Sequence, residues 1–288
     1  MRSFRRRQTL TAFAFLTPAF VFFGLMFYLP IGNVLANSFN TGPQADVYTG
    51  LGNYTRAFAD PAVLNAFTVT LLFAVGTTAG AIVLGLGLAV LVDLRLPGRV
   101  GIRAALLVPY LTSIAIVGLL WRNILDPDLG ILNRMLDGLG LPTQQWLNTH
   151  PLATIVAVTL WHNVGYTMVL FLAGLQGIPH EFHEAAHIDG AGAWQRFWRI
   201  TLPLLTPTTL FVSVMAVISG LQAFGQAYII TGGGPANQTD LYIFHVFNVA
   251  FDARDFGYAN ALSFLLLLVI IAVTVVQLRA GRRGEIQY

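Results

Sequence analysis

Residues 66–92 read AFTVTLLFAVGTTAGAIVLGLGLAVLV, and this run determines which kind of protein the chain is. It contains no charged residue, and its length exceeds the roughly 20 mostly apolar residues that a helix needs to cross a bilayer. Within lipid, a helix satisfies all of its main-chain polar groups internally, so a single apolar run of this kind spans as a helix. The sequence therefore predicts a membrane-spanning helix here.

Five further apolar runs flank this segment, and together they predict an all-α polytopic fold with six transmembrane helices. Hydrophobic residues make up 56% of the 288 residues and charged residues only 10%, against about 25% charged residues in a soluble domain. A water-soluble fold and a disordered chain are both excluded by this balance. The predicted spans are 11–36, 66–92, 104–121, 152–178, 204–230 and 259–278, with a kink expected at Pro109.

The arginines predict the orientation of these spans, because cytoplasmic loops of membrane proteins are enriched in basic residues. The chain has no lysine, and with the N-terminus in the cytoplasm most of its 16 basic residues fall on the cytoplasmic side. Both termini are then expected in the cytoplasm, and the net charge of +3 needs no nucleic-acid partner. The cytoplasmic set is Arg2, Arg5, Arg6, Arg7, Arg95, Arg99, Arg103, Arg196, Arg199, Arg279, Arg282 and Arg283.

The first apolar run has a second interpretation as a secretory signal peptide cleaved near Ala36. Its apolar stretch is much longer than the roughly 7–15 residues of a signal-peptide core, so a retained span is the favoured interpretation. The outer connections 37–65, 122–151 and 231–258 are long enough to carry short helices or functional sites.

Several chemistries are excluded by residue types that the sequence lacks. There is no cysteine, so disulfides and thiol nucleophiles are excluded, and the absence of lysine removes the conserved lysine of an ATP-binding P-loop. We expect this chain to bind no cofactor. Ion-coupled carriers commonly place a carboxylate near the membrane midplane, and the six predicted spans contain no Asp or Glu away from their ends.

A few polar residues do lie inside the predicted spans. Asn163 and Tyr166 accompany His162 on the fourth span, and Gln222 and Gln226 have i, i+4 spacing on the fifth. One interpretation is interhelical hydrogen bonding, which contributes about 1 kcal/mol per bond. The other is a lining that binds a polar solute, and the sequence leaves both open.

Gly76 and Gly80 have the small-xxx-small spacing that lets helices approach closely. We expect these glycines to pack within the subunit. An interface with a second subunit is the alternative.

The segment 179–203 is the most informative connection between spans. Pro179 suits a first helical turn and Gly190 suits the left-handed residue after a helix, which predicts a short helix over 180–189. A second helix over 193–200 places Trp194, Phe197 and Trp198 on one face, as an interfacial helix does. His183 and His187 invite a metal site, but they lack a further set of ligands, so no metal is expected.

This segment resembles the EAA loop of binding-protein-dependent ABC importer permeases. The resemblance rests on Glu184-Ala185-Ala186, then Asp189-Gly190-Ala191, then Leu202-Pro203 at the matching spacing. Three weaker motifs resemble the carbohydrate-uptake branch, which includes permeases of the maltose and glycerol-3-phosphate type. They are GLGNY at 50–54, WRNILDP at 121–127 and TGGGP at 231–235.

The resemblance implies that residues 1–288 form one transmembrane domain of an importer in the bacterial cytoplasmic (inner) membrane. It implies that Glu184, Ala185, Ala186, Asp189, Gly190 and Ala191 dock against a cytoplasmic ATP-binding subunit, which would hold ATP and magnesium. A second homologous permease and an extracytoplasmic solute-binding protein are the other expected partners, besides membrane lipid. Gly232, Gly233, Gly234 and Pro235 are expected to contact the binding protein. The solute would be a sugar or related polar molecule.

Two other classes of function predict features that a permease does not need. An ion-coupled secondary transporter predicts an intramembrane carboxylate, and a membrane-embedded enzyme predicts a catalytic constellation. The enzyme's one candidate is the cluster of His162, Asn163 and Tyr166. A permease driven by a separate ATPase is the interpretation that the sequence favours.

Overall fold

The computed structural model describes residues 2–94 and 98–282, so Arg95 and Arg283 of the orientation argument lie outside the described residues. The prediction of an all-α polytopic protein is confirmed. Four helices are long and apolar enough to cross a membrane, and the count rises to six if each of two bent helix pairs forms one span. The only strands in the described part of the chain form one short antiparallel pair.

The elements follow in chain order. The α-helices are α1 Arg2–Phe23, α2 Leu29–Asn37, α3 Gly52–Ala59, α4 Pro61–Asp93, α5 Arg99–Leu111, α6 Ile114–Ile124, α7 Ile131–Gly138, α8 Trp146–Thr149, α9 Pro151–Gln176, α10 His180–Ile188, α11 Ala193–Arg196, α12 Leu202–Leu204, α13 Thr206–Leu221, α14 Tyr242–Phe247 and α15 Phe256–Arg282. The strands are β1 Asn40–Thr41 and β2 Val47–Tyr48. Stretches of π-helix occupy Gly24–Tyr28, Phe197–Thr201, Gln226–Thr231 and Asn248–Asp252.

The single helix expected over 104–121 is instead two helices, α5 and α6, bent by 96°. Pro109 lies in the last turn of α5, and Thr112 then takes an extended conformation. The hydroxyl of Ser113 accepts a hydrogen bond from the main-chain N–H of Ala115 and so caps the start of α6. Proline accounts for a kink, and the extended residue after α5 turns that kink into a break.

The helix expected over 204–230 is also interrupted. It begins at Thr206 after a 64° bend from the helical segment Ala193–Leu204, and it ends at Leu221. Residues 222–225 separate it from the π-helical stretch Gln226–Thr231. Gln222 and Gln226 therefore do not lie on one continuous helix. The prediction of i, i+4 neighbours within a single span was wrong for this pair. Gly220 and Gly225 flank the interruption, where the missing side chains reduce the helix propensity.

The chain divides into two compact units, of which the first comprises residues up to Asp60 together with Val246–Leu268. In this unit Asn53 is buried. Its side-chain amide donates hydrogen bonds to the carbonyls of Ser38 at 2.9 Å and Asn40 at 2.6 Å. The Ser38 hydroxyl lies 2.6 Å from the hydroxyl of Tyr54. The GLGNY motif at 50–54 thus holds the β1–β2 hairpin and the end of α2 together.

The second unit comprises Pro61–His245 and the residues from Val269 onward. Its longest helix, α4, has 33 residues and is about 50 Å long, more than the hydrocarbon thickness of a bilayer. Small residues let α4 and α9 approach closely: a β-carbon at Gly76 would contact Val156, and one at Gly80 would come within 2.5 Å of Leu160. The expectation that these two glycines pack within the subunit is confirmed.

Candidate functional site

The segment that resembles the EAA loop forms a short helix with a complete C-terminal cap. The predicted helix over 180–189 is confirmed as α10, and Pro179 occupies its N-cap position. Gly190 has φ +76°, and the N–H of Ala191 donates to the carbonyl of Ala186 at 2.9 Å. The N–H of Gly190 donates to His187 at 3.1 Å, which completes a Schellman motif. The turn after α10 therefore depends on a residue that accepts a left-handed backbone.

The two faces of α10 differ in exposure. Glu184, Ala185 and Asp189 are exposed, whereas Ala186 is buried against the rest of the chain. Ala185 therefore presents a small exposed side chain, as close contact between helices requires. Ile188 is 85% exposed at the tip of α10. Sequence reasoning did not include Ile188 among the candidate docking residues, although a large apolar side chain beside Asp189-Gly190 is a signal that could have identified it.

The aromatic residues after α10 have different environments. Phe197 packs against the buried cluster that includes Met168, Phe171 and Leu205. Trp194 is 75% exposed and stands edge-on to Trp198, with ring centroids 5.5 Å apart. Phe197 therefore anchors this part of the segment to the bundle. The exposed Trp194 has the position expected for an interfacial residue.

A cavity of about 160 Å³ lies in the second unit among α4, α5, α9 and α13. Three of the four predicted pathway residues line it, namely Asn163, Tyr166 and Gln226. Gln222 is exposed and is not among the lining residues. The structure adds lining residues that sequence reasoning missed. Among them are Tyr110 and the hydroxyl-bearing Thr77, Thr159, Thr167 and Ser219.

Two tyrosines form an aromatic platform in this cavity. The rings of Tyr110 and Tyr166 stack at 4.5 Å between centroids with 9° between their planes. Tyr110 lies on α5 one residue after Pro109, so the helix break fixes its position. The side chains of Asn163 and Gln226 line the cavity and form no hydrogen bond with another of the described residues.

His162 forms a hydrogen bond at the break between two helices. It is buried, and its Nε2 donates a hydrogen bond to the carbonyl of Thr112 at 3.0 Å, at the break between α5 and α6. A main-chain carbonyl freed by a helix break needs such a donor within a membrane. No set of three metal-binding side chains occurs in residues 2–94 and 98–282, the three histidines of α10 included.

The glycine-rich stretch at 231–235 adjoins a second, open hollow of about 390 Å³. This hollow is also lined by Arg122, Asp126 and Asn148, so it brings the motifs at 121–127 and 231–235 together. The main-chain N–H groups of Asp128 and Leu129 donate to the Asp126 carboxylate at 3.0 and 2.8 Å. These hydrogen bonds lower the pKa of Asp126 from its ordinary value, with the Leu129 bond as the larger cause.

A buried threonine holds the glycine-rich stretch in place. The hydroxyl of Thr239 lies 2.7 Å from the Thr231 hydroxyl and donates to the carbonyl of Gly234 at 2.8 Å. Gly232 and Gly233 have φ values of +62° and +82°. A β-carbon at Gly233 would come within 2.6 Å of Phe244. Two features therefore favour glycine at position 233, namely the left-handed backbone and the close aromatic neighbour.

Known proteins share sequence with most of this chain. Residues 81–283 match the family described as binding-protein-dependent transport system inner membrane component. The sn-glycerol-3-phosphate transport system permease protein UgpA of Agrobacterium fabrum is 35% identical over 234 residues, which are 81% of this chain and 80% of that protein. The multiple sugar-binding transport system permease protein MsmF of Streptococcus mutans is 35% identical over 241 residues, 83% of each chain.

The fold has a solved counterpart as well. A chain in the crystal structure of a bacterial ABC transporter involved in the import of the acidic polysaccharide alginate superposes with a TM-score of 0.86 at 22% identity. The superposition covers 98% of this chain and 99% of that chain. At this identity the similarity concerns the fold alone. The match over residues 81–283 and the relatives above 30% identity establish that the chain belongs to the family of inner membrane components of binding-protein-dependent transport systems, the permeases of ABC importers.

Proposed function

We propose that this chain is one of two homologous permease subunits in an importer of a sugar or related polar solute. The relatives' names support the solute class, since one is named for sn-glycerol-3-phosphate and another for multiple sugars. The cavity supports it as well, because Asn163, Gln226 and Tyr166 present polar groups to it. The second permease would be a distinct chain with the same fold. Both termini would lie in the cytoplasm.

The observation that carries this proposal is the exposed, capped helix α10. Glu184, Ala185, Asp189 and Gly190 form an exposed surface on this segment, while Phe197 in the helical stretch that follows packs against the bundle. A short helix connected to the bundle in this way can transmit force from a neighbouring subunit. An ATP-binding subunit would dock there and would hold the ATP and magnesium, while this chain performs no chemistry on the solute.

The glycine-rich stretch 231–235 is our proposed contact for an extracytoplasmic solute-binding protein. The hollow beside it is open, and both Arg122 and Asp126 face it. Charged rims of this kind favour fast association with a partner of complementary charge. Movement of the α10 lever would then open the cavity alternately to each side of the membrane, in the manner of rigid-body gating.

Reconstitution tests the proposal as a whole. The chain is expected to co-purify with an ATPase and a second permease, and proteoliposomes of the complex should take up solute only with ATP and the binding protein present. Uptake should survive an ionophore. Uptake that an ionophore abolishes, without any ATP requirement, would instead support an ion-coupled transporter.

A further inference from the structure

The polar groups that line the cavity between α4, α5, α9 and α13 are all electrically neutral. Asn163 and Gln226 contribute amides, while Thr77, Thr159 and Ser219 contribute hydroxyls. Thr77 and Thr159 donate to main-chain carbonyls within their own helices at 2.8 and 2.7 Å, which leaves their oxygen lone pairs as acceptors. The lining therefore offers donors and acceptors of hydrogen bonds, and it offers no full charge.

Three ionisable side chains on α5, α6 and α9 have contacts outside the cavity lining. His162, on the same helix as Asn163, binds the carbonyl of Thr112. Arg103 on α5 donates from Nη2 to the carbonyl of Val92 at 3.1 Å, near the end of α4. Arg122 on α6 lines the separate open hollow beside residues 231–235. Within the described part of this chain, none of these groups is placed to neutralise a charge inside the cavity.

A charged solute would be costly in such a surrounding. An ion in a low-dielectric interior loses its hydration, and neutral dipoles replace only part of it unless a counter-ion is present. A neutral polyol needs no counter-ion. Each of its hydroxyl groups needs a hydrogen-bond donor and an acceptor, and neutral side chains supply both. The stacked pair of Tyr110 and Tyr166 adds an apolar surface on which the C–H face of a sugar ring can lie.

We infer that the solute carried through this cavity is an uncharged polyhydroxylated molecule, a neutral sugar or polyol, and that phosphorylated, carboxylated or cationic solutes are rejected there. This inference rests on the import function proposed above and narrows its solute class. It separates this chain from a carrier of glycerol phosphate, for which a basic side chain in the pathway would be expected.

The first test identifies the solute by its charge. Proteoliposomes of the complete transporter with its binding protein are incubated with ATP and the small-molecule extract of the source cells, and accumulated solutes are identified by mass spectrometry. We expect a solute with no net charge at pH 7. Accumulation of an anion or a cation would overturn the inference while leaving the import function intact. If no solute accumulates when ATP is present, both the inference about charge and the proposed import function are overturned.

The second test compares opposite charges at one lining position. For a neutral solute, Asn163→Asp and Asn163→Arg should each reduce uptake of the accumulated solute at least about tenfold, because either charge is unpaired in the cavity. Gln222→Asp and Gln222→Arg, at an exposed position outside the lining, serve as matched controls and should reduce uptake less than the cavity variants do. Uptake that survives in one charge variant but not in the other would reveal a charged solute. Co-purification with the ATPase shows that each variant assembles, and the mass-spectrometric result decides the question if either cavity variant does not.

Discussion

The Nε2 atom of His162 lies 3.0 Å from the main-chain oxygen of Thr112, the residue at which α5 ends and the chain turns by 96° into α6. The donor comes from α9, 50 residues further along the chain. This hydrogen bond satisfies a carbonyl that the helix break exposes, and it connects the break to the helix that carries Asn163 and Tyr166. The geometry of the cavity thus depends on a contact outside it.

Replacing His162 with leucine should therefore destabilise the protein. The Thr112 carbonyl would lose its donor, at a cost of about 1 kcal/mol for an interhelical hydrogen bond in a membrane protein. The thermal unfolding midpoint of the purified complex measures this cost. His162→Gln, which retains an N–H donor, should lose less. An unchanged midpoint for the leucine variant would show that the hydrogen bond does not stabilise the break.

The close approach of α5 and α9 gives a second prediction. A β-carbon at Gly165 would overlap the carbonyl oxygen of Leu106, so Gly165→Ala should destabilise the fold by about 1–3 kcal/mol, as overpacking does. Gly87→Ala is the matched control, since a β-carbon there meets nothing within 4 Å. Thermal unfolding or yield after detergent extraction distinguishes the two. Equal behaviour of both variants would contradict the observed helix contact.

The lining of the cavity predicts which glutamine matters for transport. Asn163→Leu and Gln226→Leu should each reduce uptake about fivefold, because each removes a hydrogen bond to the solute of roughly 1 kcal/mol. Gln222→Leu should leave uptake within about twofold, in line with its exposed position outside the lining. Initial uptake rates at equal protein level provide the measurement. A larger loss in the Gln222 variant than in the other two would place the pathway elsewhere.

The turn after α10 predicts an uncoupled transporter. Gly190→Val forces a β-branched residue into a backbone with φ +76°, which costs about 1–2 kcal/mol and favours a different turn. We expect uptake per ATP hydrolysed to fall while the subunits still assemble. Gly190→Asn is the control, because asparagine tolerates the left-handed conformation. Normal uptake by the valine variant would count against a coupling role for this turn.

The all-α class and the positions of the apolar segments could be predicted because both follow from local composition. Continuous apolar runs of sufficient length have one stable form in lipid. The break between α5 and α6 could not be predicted in full, since Pro109 is compatible with a simple kink. The larger bend depends on Ser113 and on His162, and only the folded chain brings His162 to that position.

In the candidate site, features set by neighbouring residues in sequence could be predicted, and features set by tertiary packing could not. The helix over 180–189 and its left-handed glycine were predictable from Pro179 and Gly190, which act within their own turn. The i, i+4 spacing of Gln222 and Gln226 implies a shared face only if the helix continues, and α13 ends at Leu221. Tyr110 was missed since the direction that α5 faces depends on its packing against α9. The docking roles of the α10 residues stay predictions.

The central claim is that α10 docks against a separate ATP-hydrolysing subunit, and disulfide cross-linking tests it most directly. The chain contains no cysteine, so one introduced residue reports on its position alone. The test compares Ala185→Cys, at an exposed position, with Ala186→Cys, at the buried position next to it. In membranes of the assembled transporter, whose ATPase carries one cysteine at its permease-facing cleft, we predict a strong cross-link from residue 185 and little from residue 186. Absence of a cross-link from 185 across a series of cleft cysteines, in a complex that still hydrolyses ATP, would contradict the account.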